Sequence, residues 1–183
     1  MYGQVLRQGT GGVASWTNNG NYSQTGAFIT VENTAAKTSI VGTGVGSLVI
    51  PGIGAGCSYH LKLSGTIQDN GINEELKIIV DLGGVTVYES QFYDLDDIKT
   101  EQVFESEIDI VCRTSGVAGT FYANGQFVYS KNGGQNDFRG FNTEFSSVVN
   151  TTISNTFDVS VQWGNALADN ILVCKMLTVT KTF

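Results

Sequence analysis

Apolar and polar residues alternate along most of this chain, as they do in β-strands that bury one face. Within residues 59–68, Leu61 and Leu63 fall on one face while His60 and Lys62 fall on the other. The same alternation occurs in residues 76–82, 104–113, 121–129 and 157–163. We find no window of helical length with apolar residues at i, i+3, i+4 and i+7. The pattern therefore predicts an all-β protein.

Gly, Asn and Asp separate these stretches and indicate turns. An Asn124-Gly125 dipeptide inside residues 121–129 favours a tight turn or a bulge there. The pattern predicts roughly eight to ten strands, and a jelly roll is the usual sandwich of about eight antiparallel strands. Polar residues on one face of most strands exclude a parallel sheet covered by helices. We therefore predict a single jelly-roll antiparallel β-sandwich.

Residues 1–38 differ from the rest, because they are rich in Gly, Asn, Thr and Ser and contain only short apolar pieces. In a flexible tail, Val5, Leu6, Trp16 and Phe28 would be exposed to water. We therefore expect residues 1–38 to form an extended N-terminal arm. These four side chains would dock it on its own sandwich or on a neighbour. The jelly-roll domain would then comprise residues 39–183.

The last predicted strand, residues 170–183, has apolar residues on both faces. Regular alternation would place Ile171, Val173, Leu177 and Val179 on one face and Leu172, Cys174 and Met176 on the other. A strand of a lone sandwich needs only one apolar face, so a second one implies another buried surface. We therefore predict an oligomer interface at Leu172, Cys174, Met176 and Val179. Coverage by a loop or by the arm of the same chain is the alternative.

Composition and charge restrict the possible partners. The chain has 41% hydrophobic residues, more than a disordered chain would have. Its net charge is −7 and its ten Lys and Arg are scattered, so we expect no nucleic-acid partner, which would need a basic stripe. Apolar stretches such as residues 45–53 are interrupted by Gly and Pro, so no membrane span is expected. Residues 1–7 do not resemble a cleavable signal peptide.

Catalytic and cofactor motifs are not apparent in the sequence. The single His, His60, lies on the polar face of a predicted strand beside Lys62, which favours a solvent-facing side chain over a catalytic base. The Gly-rich segments 42–47 and 52–56 are not followed by Lys-Ser/Thr and open no predicted helix, so we interpret both as turns. We predict a protein with no enzyme activity and no cofactor.

One acidic cluster is a weak candidate for a metal site. Asp94, Asp96 and Asp97 offer carboxylate oxygens, which Ca²⁺ prefers as ligands. The Gly and the final Glu of an EF-hand loop are missing, so a solvated loop without metal is the favoured interpretation.

The three cysteines are widely spaced, and each lies in a predicted strand. We expect Cys57, Cys112 and Cys174 to be buried apolar side chains. A disulfide between two of them is the alternative, because distant strands often meet in a sandwich.

Several segments resemble viral surface proteins. Gly3-Gln4-Val5-Leu6, residues 9–12 and residues 15–17 resemble the "GQVL…GTGG…SWT" units of phage tail-fibre and virion surface proteins. The body resembles the jelly-roll or TNF-like heads that follow such units in tailed phages and in large DNA viruses of algae. The segments that carry this second resemblance are residues 46–51, 59–67, 124–127, 150–164 and 177–181.

The resemblance implies a non-enzymatic virion structural protein that forms a homo-oligomer and contacts other capsid proteins. Because a long repetitive shaft is missing, we favour a minor or pentameric vertex (penton) subunit of the capsid exterior. The alternative is a trimeric TNF-like tail-fibre head or a module that binds a host-surface receptor or carbohydrate. A glycan-cleaving enzyme is a further rival, which would need two carboxylates about 5–10 Å apart.

Overall fold

The computed structural model describes residues 4–8, 14–18, 20–69, 74–95, 98, 100–131, 134 and 136–183. For residues 4–8, 14–18 and 141–147 it describes the backbone alone. The described residues form sixteen strands: β1 Gln4–Gln8, β2 Ala14–Asn18, β3 Tyr22–Gln24, β4 Ile29–Glu32, β5 Thr38–Ser39, β6 Gly44–Gly46, β7 Val49–Pro51, β8 Ser58–Gln68, β9 Glu74–Leu82, β10 Val85–Glu89, β11 Tyr93–Leu95, β12 Gln102–Thr114, β13 Gly119–Ser130, β14 Asn136–Val149, β15 Ser154–Trp163 and β16 Ile171–Lys181.

Two antiparallel sheets pack as a sandwich. The large sheet has the order β14-β13-β12-β8-β16-β3-β6, and β4 also pairs with β16. The small sheet has the order β10-β9-β15-β5, with β11 paired to β9 and β7 paired to β15. The prediction of an all-β, antiparallel sandwich is confirmed, since no helix occurs in the part of the chain that the structure describes. Nor do these residues include a helix long and apolar enough to cross a membrane.

The inner faces of the sheets form one apolar core, because the predicted alternation holds along the long strands. In β8, Leu61 and Leu63 are at most 1% exposed, whereas His60 and Lys62 lie on the outer face. Aromatic rings join the sheets: Tyr59 meets Phe157 edge to face, with ring centroids 5.1 Å apart. Such a pair adds about 0.5–1.5 kcal/mol to the stabilisation from burial.

The segment from residue 20 to residue 38 belongs to this sandwich. β3 and β4 pair with β16, and β5 pairs with β15. Tyr22 and Val31 are buried in the core at 8% and 1% exposure. The predicted boundary after residue 38 falls inside β5, and residues 20–38 dock on the sandwich of their own chain. These short strands need only one or two buried side chains each, because backbone hydrogen bonds to a neighbouring strand hold them.

The first two strands form their own hairpin. β1 pairs with β2 antiparallel, with Leu6 opposite Trp16. Three of the side chains predicted to dock the arm, those of Val5, Leu6 and Trp16, belong to this hairpin. These side chains are not among the parts of the chain that the structure describes, so docking by them stays a prediction.

Candidate assembly and binding surfaces

The last strand contains a bulge that changes which side chains face the core. The pairing of β16 with β8 shifts between Cys174 and Met176, so that Lys175 is an extra, exposed residue. An extra residue inverts the alternation beyond it. Leu172 and Cys174 before the bulge, and Leu177 after it, all face the core at 0% exposure.

A glycine on the neighbouring strand makes room for the bulge. Gly65 of β8 lies opposite Cys174. A Cβ atom at Gly65 would lie 1.9 Å from the carbonyl oxygen of Val173 and 3.1 Å from the backbone nitrogen of Lys175. Any larger residue there would push the two strands apart. The bulge and this glycine are therefore one structural unit.

The predicted oligomer interface on β16 is wrong for three of its four residues. Leu172, Cys174 and Val179 are at most 1% exposed and pack in the core of their own sandwich. They are therefore unavailable to a second subunit in this fold. The error came from assuming unbroken alternation, which gave the strand two apolar faces. Met176 lies on the outer face, half-buried, and is the one predicted residue that a partner can reach.

Phe28, the fourth docking residue, lies between β3 and β4 on the outside of the sandwich. Its side chain is 59% exposed. The Nζ atom of Lys175, at the bulge, lies 6.0 Å from the centre of its ring, at the limit of a cation–π contact. This residue therefore attaches weakly to its own chain and leaves most of its ring exposed.

Several turns gather at one end of the sandwich, which we call the loop end: residues 52–57, 115–118, 150–153 and 182–183. Backbone groups tie them together. The N–H of Ile53 donates to the carbonyl oxygen of Thr151 (2.8 Å), and the N–H of Thr151 donates to that of Gly116 (2.9 Å). The N–H of Lys181 donates to Asn21 Oδ1 (2.8 Å), so the chain also enters the sandwich near this end.

The loop end exposes apolar side chains to water. Val117 is 77% exposed, Ile153 56% and Phe183 84%. Single exposed apolar residues are ordinary, but a group of them on adjacent, mutually hydrogen-bonded turns is typical of a contact surface. The sequence analysis missed this group. Its signal was an apolar residue within a turn-forming segment, such as Val117 between Gly116 and Ala118.

The outer face of the large sheet is polar and cross-linked by charged groups. Lys62 of β8 forms ion pairs with Glu105 and Glu107 of β12. Hydrogen bonds to these two carboxylates raise the pKa of the Lys62 ammonium above its usual value. Gln126 of β13 donates through Nε2 to Glu107 Oε2 (3.1 Å). These contacts are exposed, so they order the surface more than they stabilise the fold.

A shallow cavity of about 380 Å³ lies on this outer face. Its polar wall comprises Glu107, Asp109, Asn124 and Gln126. Phe138 of β14 forms the apolar side and is 59% exposed. Carboxylate and amide groups beside an open aromatic ring suit a ligand that has both hydroxyl groups and an apolar face. The volume is within the usual range for small-molecule sites.

His60 and Asp109 form the one arrangement on this face that resembles part of a catalytic site. His60 Nδ1 lies 2.9 Å from Asp109 Oδ1. A hydrolytic triad also needs a nucleophile hydrogen-bonded to the His. The residue opposite His60 on β16 is Thr180, and among the described residues no side-chain hydrogen bond joins these two. The pair therefore forms a surface contact between β8 and β12.

The acidic segment after β11 does not assemble a metal site from described residues. Asp94 is exposed, and its carbonyl oxygen accepts a hydrogen bond from Arg139 (3.3 Å). Asp96 and Asp97 lie outside the described residues. Buried Ile98 follows them, and its N–H donates to Asp69 Oδ1 (3.1 Å), which attaches the segment to the end of β8. Among the described residues, no three His, Cys, Asp or Glu side chains come together as metal ligands.

Comparisons of the chain with family models, with curated proteins and with solved structures found no match.

Proposed function

We propose that this chain is a non-enzymatic structural subunit of a virion, a single jelly roll that assembles into a homo-oligomer on the capsid exterior. The observation that carries the proposal is the strand order. The principal strands follow the order β4-β16-β8-β12 in the large sheet and β5-β15-β9-β10 in the small sheet. These orders support a TNF-like single jelly roll, with β13 and β14 as an additional hairpin after β12. Viral capsid proteins and lectins use this architecture.

The loop end supports assembly. Apolar side chains at 56–84% exposure would lose contact with water if a second subunit covered them, which stabilises association by about 25 cal/mol per Å² of apolar surface. Residues 20 and 21 enter the sandwich near the same end, and we propose that the preceding hairpin β1–β2 contacts a neighbour there as well. We therefore place the contact between subunits at the loop end.

The charge of the chain supports a position on the outside of the particle. A protein that lines a packaged genome needs a basic surface, whereas this chain has a net charge of −7. We propose a pentameric vertex or minor capsid subunit in contact with other capsid proteins. A trimeric head remains the alternative within the same class.

Native mass spectrometry of the purified chain tests the proposal. We expect pentamers or trimers, and five subunits favour a vertex whereas three favour a head. Ile153→Asp places a charge in the proposed interface, where an unpaired charge is costly to bury, and should yield folded monomers. Val103→Asp is the matched control, because Val103 is 61% exposed on the outer sheet face, away from the loop end. A monomeric unmodified chain, or an Ile153→Asp variant with undiminished oligomeric mass, contradicts this assignment.

The cavity beside Phe138 favours carbohydrate binding as a second candidate function. Sugars present hydroxyl groups and an apolar ring face, which match the polar wall and the exposed aromatic ring. A glycan array probed with the full chain should show binding that Phe138→Ala removes. Val148→Ala, a change at a 53% exposed residue near the other end of β14, should leave it intact. If the array shows no binding, or Phe138→Ala binds equally well, the cavity is not a glycan site.

A further inference from the structure

Cys57 and Cys112 lie directly opposite each other where β8 meets β12. The last regular pair joins Ser58 to Val111. One residue further, the N–H of Cys112 donates to the carbonyl oxygen of Cys57 (2.9 Å), and the N–H of Gly56 donates to that of Cys112 (2.8 Å). With Gly56 at φ +87°, this is a bulge that begins with glycine in the left-handed region. The bulge ends the pairing and holds the two cysteines in register.

The two cysteine side chains face the same core. Cys112 follows Ile108 and Ile110 on the inner face of β12 and is 1% exposed. Cys57 is partly buried and packs against the same apolar cluster. Because both face inward on neighbouring strands, they are cross-strand neighbours.

The spacing of such a pair suits a disulfide. Directly opposed residues of antiparallel strands have Cα atoms about 4.5–5.5 Å apart. Disulfides join Cα atoms about 4.4–6.8 Å apart. The two thiols therefore need side-chain rotation rather than a rearrangement of the sheet. Both are free thiols in this structure.

Cys174 lies in a different part of the large sheet. It pairs with Gly65, which at about 3.3 Å per residue lies about 26 Å along β8 from Cys57. Its thiol donates to the carbonyl oxygen of Met176 (3.5 Å), and burial raises its pKa to about 11. It is too far away to join the pair and serves as an internal control.

We propose that Cys57 and Cys112 form a cross-strand disulfide when the protein meets a small-molecule disulfide oxidant such as oxidised glutathione. The thiolate of Cys57 attacks one sulfur of the oxidant, forms a mixed disulfide and releases one reduced thiol. The thiolate of Cys112 then attacks the Cys57 sulfur and releases the second. Overall, two protein thiols are oxidised and one oxidant disulfide is reduced to two thiols.

The environments of the two thiols set this order. Cys57 is partly exposed and accessible to an oxidant, whereas Cys112 is buried. Burial raises the pKa of the Cys112 thiol, and the nearby Cys57 raises it further, so ionisation of Cys112 is disfavoured. Within the mixed disulfide, Cys112 lies beside the Cys57 sulfur, and this proximity favours the second attack although ionisation of Cys112 is disfavoured. The bond would tie the start of β8 to the end of β12, beside the loop end. This inference does not depend on the proposed virion role.

The test uses the full chain, reduced and then incubated with oxidised glutathione. Free thiols should fall from three to one. Peptide mapping should find Cys57 joined to Cys112. The Tm should rise on oxidation and fall back to its starting value on reduction. In Cys174→Ser, free thiols should fall from two to none, while the mapped bond and the rise in Tm stay the same. Cys57→Ser should show neither the bond nor the rise in Tm.

Mapping on the unmodified chain makes the result independent of whether any variant folds. A persistent glutathione adduct on Cys57, a bond that includes Cys174, a bond between chains, or three thiols that stay reduced would each overturn the proposal.

Discussion

Leu177→Ala and Met176→Ala test the bulge in the last strand, because the two side chains are adjacent but point to opposite faces. Leu177 is 0% exposed, so truncation leaves a cavity in the core. Buried Leu→Ala changes cost about 2.7–5.0 kcal/mol. At about 3 kcal/mol, a protein of this size loses about 6–12 °C in Tm. Met176 lies on the outer face, half-buried, and its truncation should cost less than about 1 kcal/mol.

Urea unfolding followed by intrinsic fluorescence measures both changes. The midpoint should fall for Leu177→Ala with an unchanged m-value, which shows that stability changed and not the surface exposed on unfolding. Regular alternation from Leu172 onward would put Met176 in the core and Leu177 outside. The reverse ranking, with Met176→Ala the more damaging change, would therefore refute the bulge and restore the predicted second face.

Two further changes test local features. Gly65→Ala should destabilise the protein by about 1–3 kcal/mol or more, since its Cβ would meet the backbone of β16, whereas Ser64→Ala on the same strand should be nearly neutral in the same urea assay. Partial burial raises the pKa of Asp137, but hydrogen bonds from Lys131, Tyr129 and the Phe138 N–H, together with the charge of Arg139, outweigh it and hold that pKa below the usual value. Asp137→Asn should therefore lower stability above the unfolded pKa of about 3.9, and the difference from the unmodified protein should vanish as pH falls through the lower folded-state pKa. Unfolding curves of both proteins at neutral and acidic pH give this difference, and a constant difference at all pH values contradicts the assignment.

Alternation predicted the long strands well because each has one face in a single core. β8 and β15 keep their apolar residues on the inner face, although Thr66 and Ser160 on the outer face are also buried. An all-β sandwich follows from many such strands with short turns. The Asn124-Gly125 dipeptide did not produce a turn or a bulge. β13 continues through it, with Gly125 paired to Ile108 on one side and Phe141 on the other. Long pairing on both sides overrides the local preference of two residues.

Features that depend on contact with distant residues escaped the sequence analysis. In the sequence, Lys175 is indistinguishable from an ordinary outward-facing residue. Only the close approach of β8 at Gly65 shows that it is the extra residue of a bulge. The short strands β3 and β4 contain too few residues for a period to be recognised. The exposed group at Val117 and Ile153 depends on turns far apart in sequence that meet at one end. Such a meeting is set by sheet order, which alternation alone does not specify.

The central position of the last strand constrains how the protein can be made. β16 pairs with β8 on one side and with β3 and β4 on the other, so it joins the two parts of the large sheet. While a ribosome is still adding residues 70–170, these earlier strands have no partner in the middle of their sheet and expose unpaired backbone edges. Pairing between strands that are so far apart in the sequence is slow, and unpaired edges promote aggregation. We therefore expect aggregation during synthesis to fall when those edges are protected until β16 has emerged.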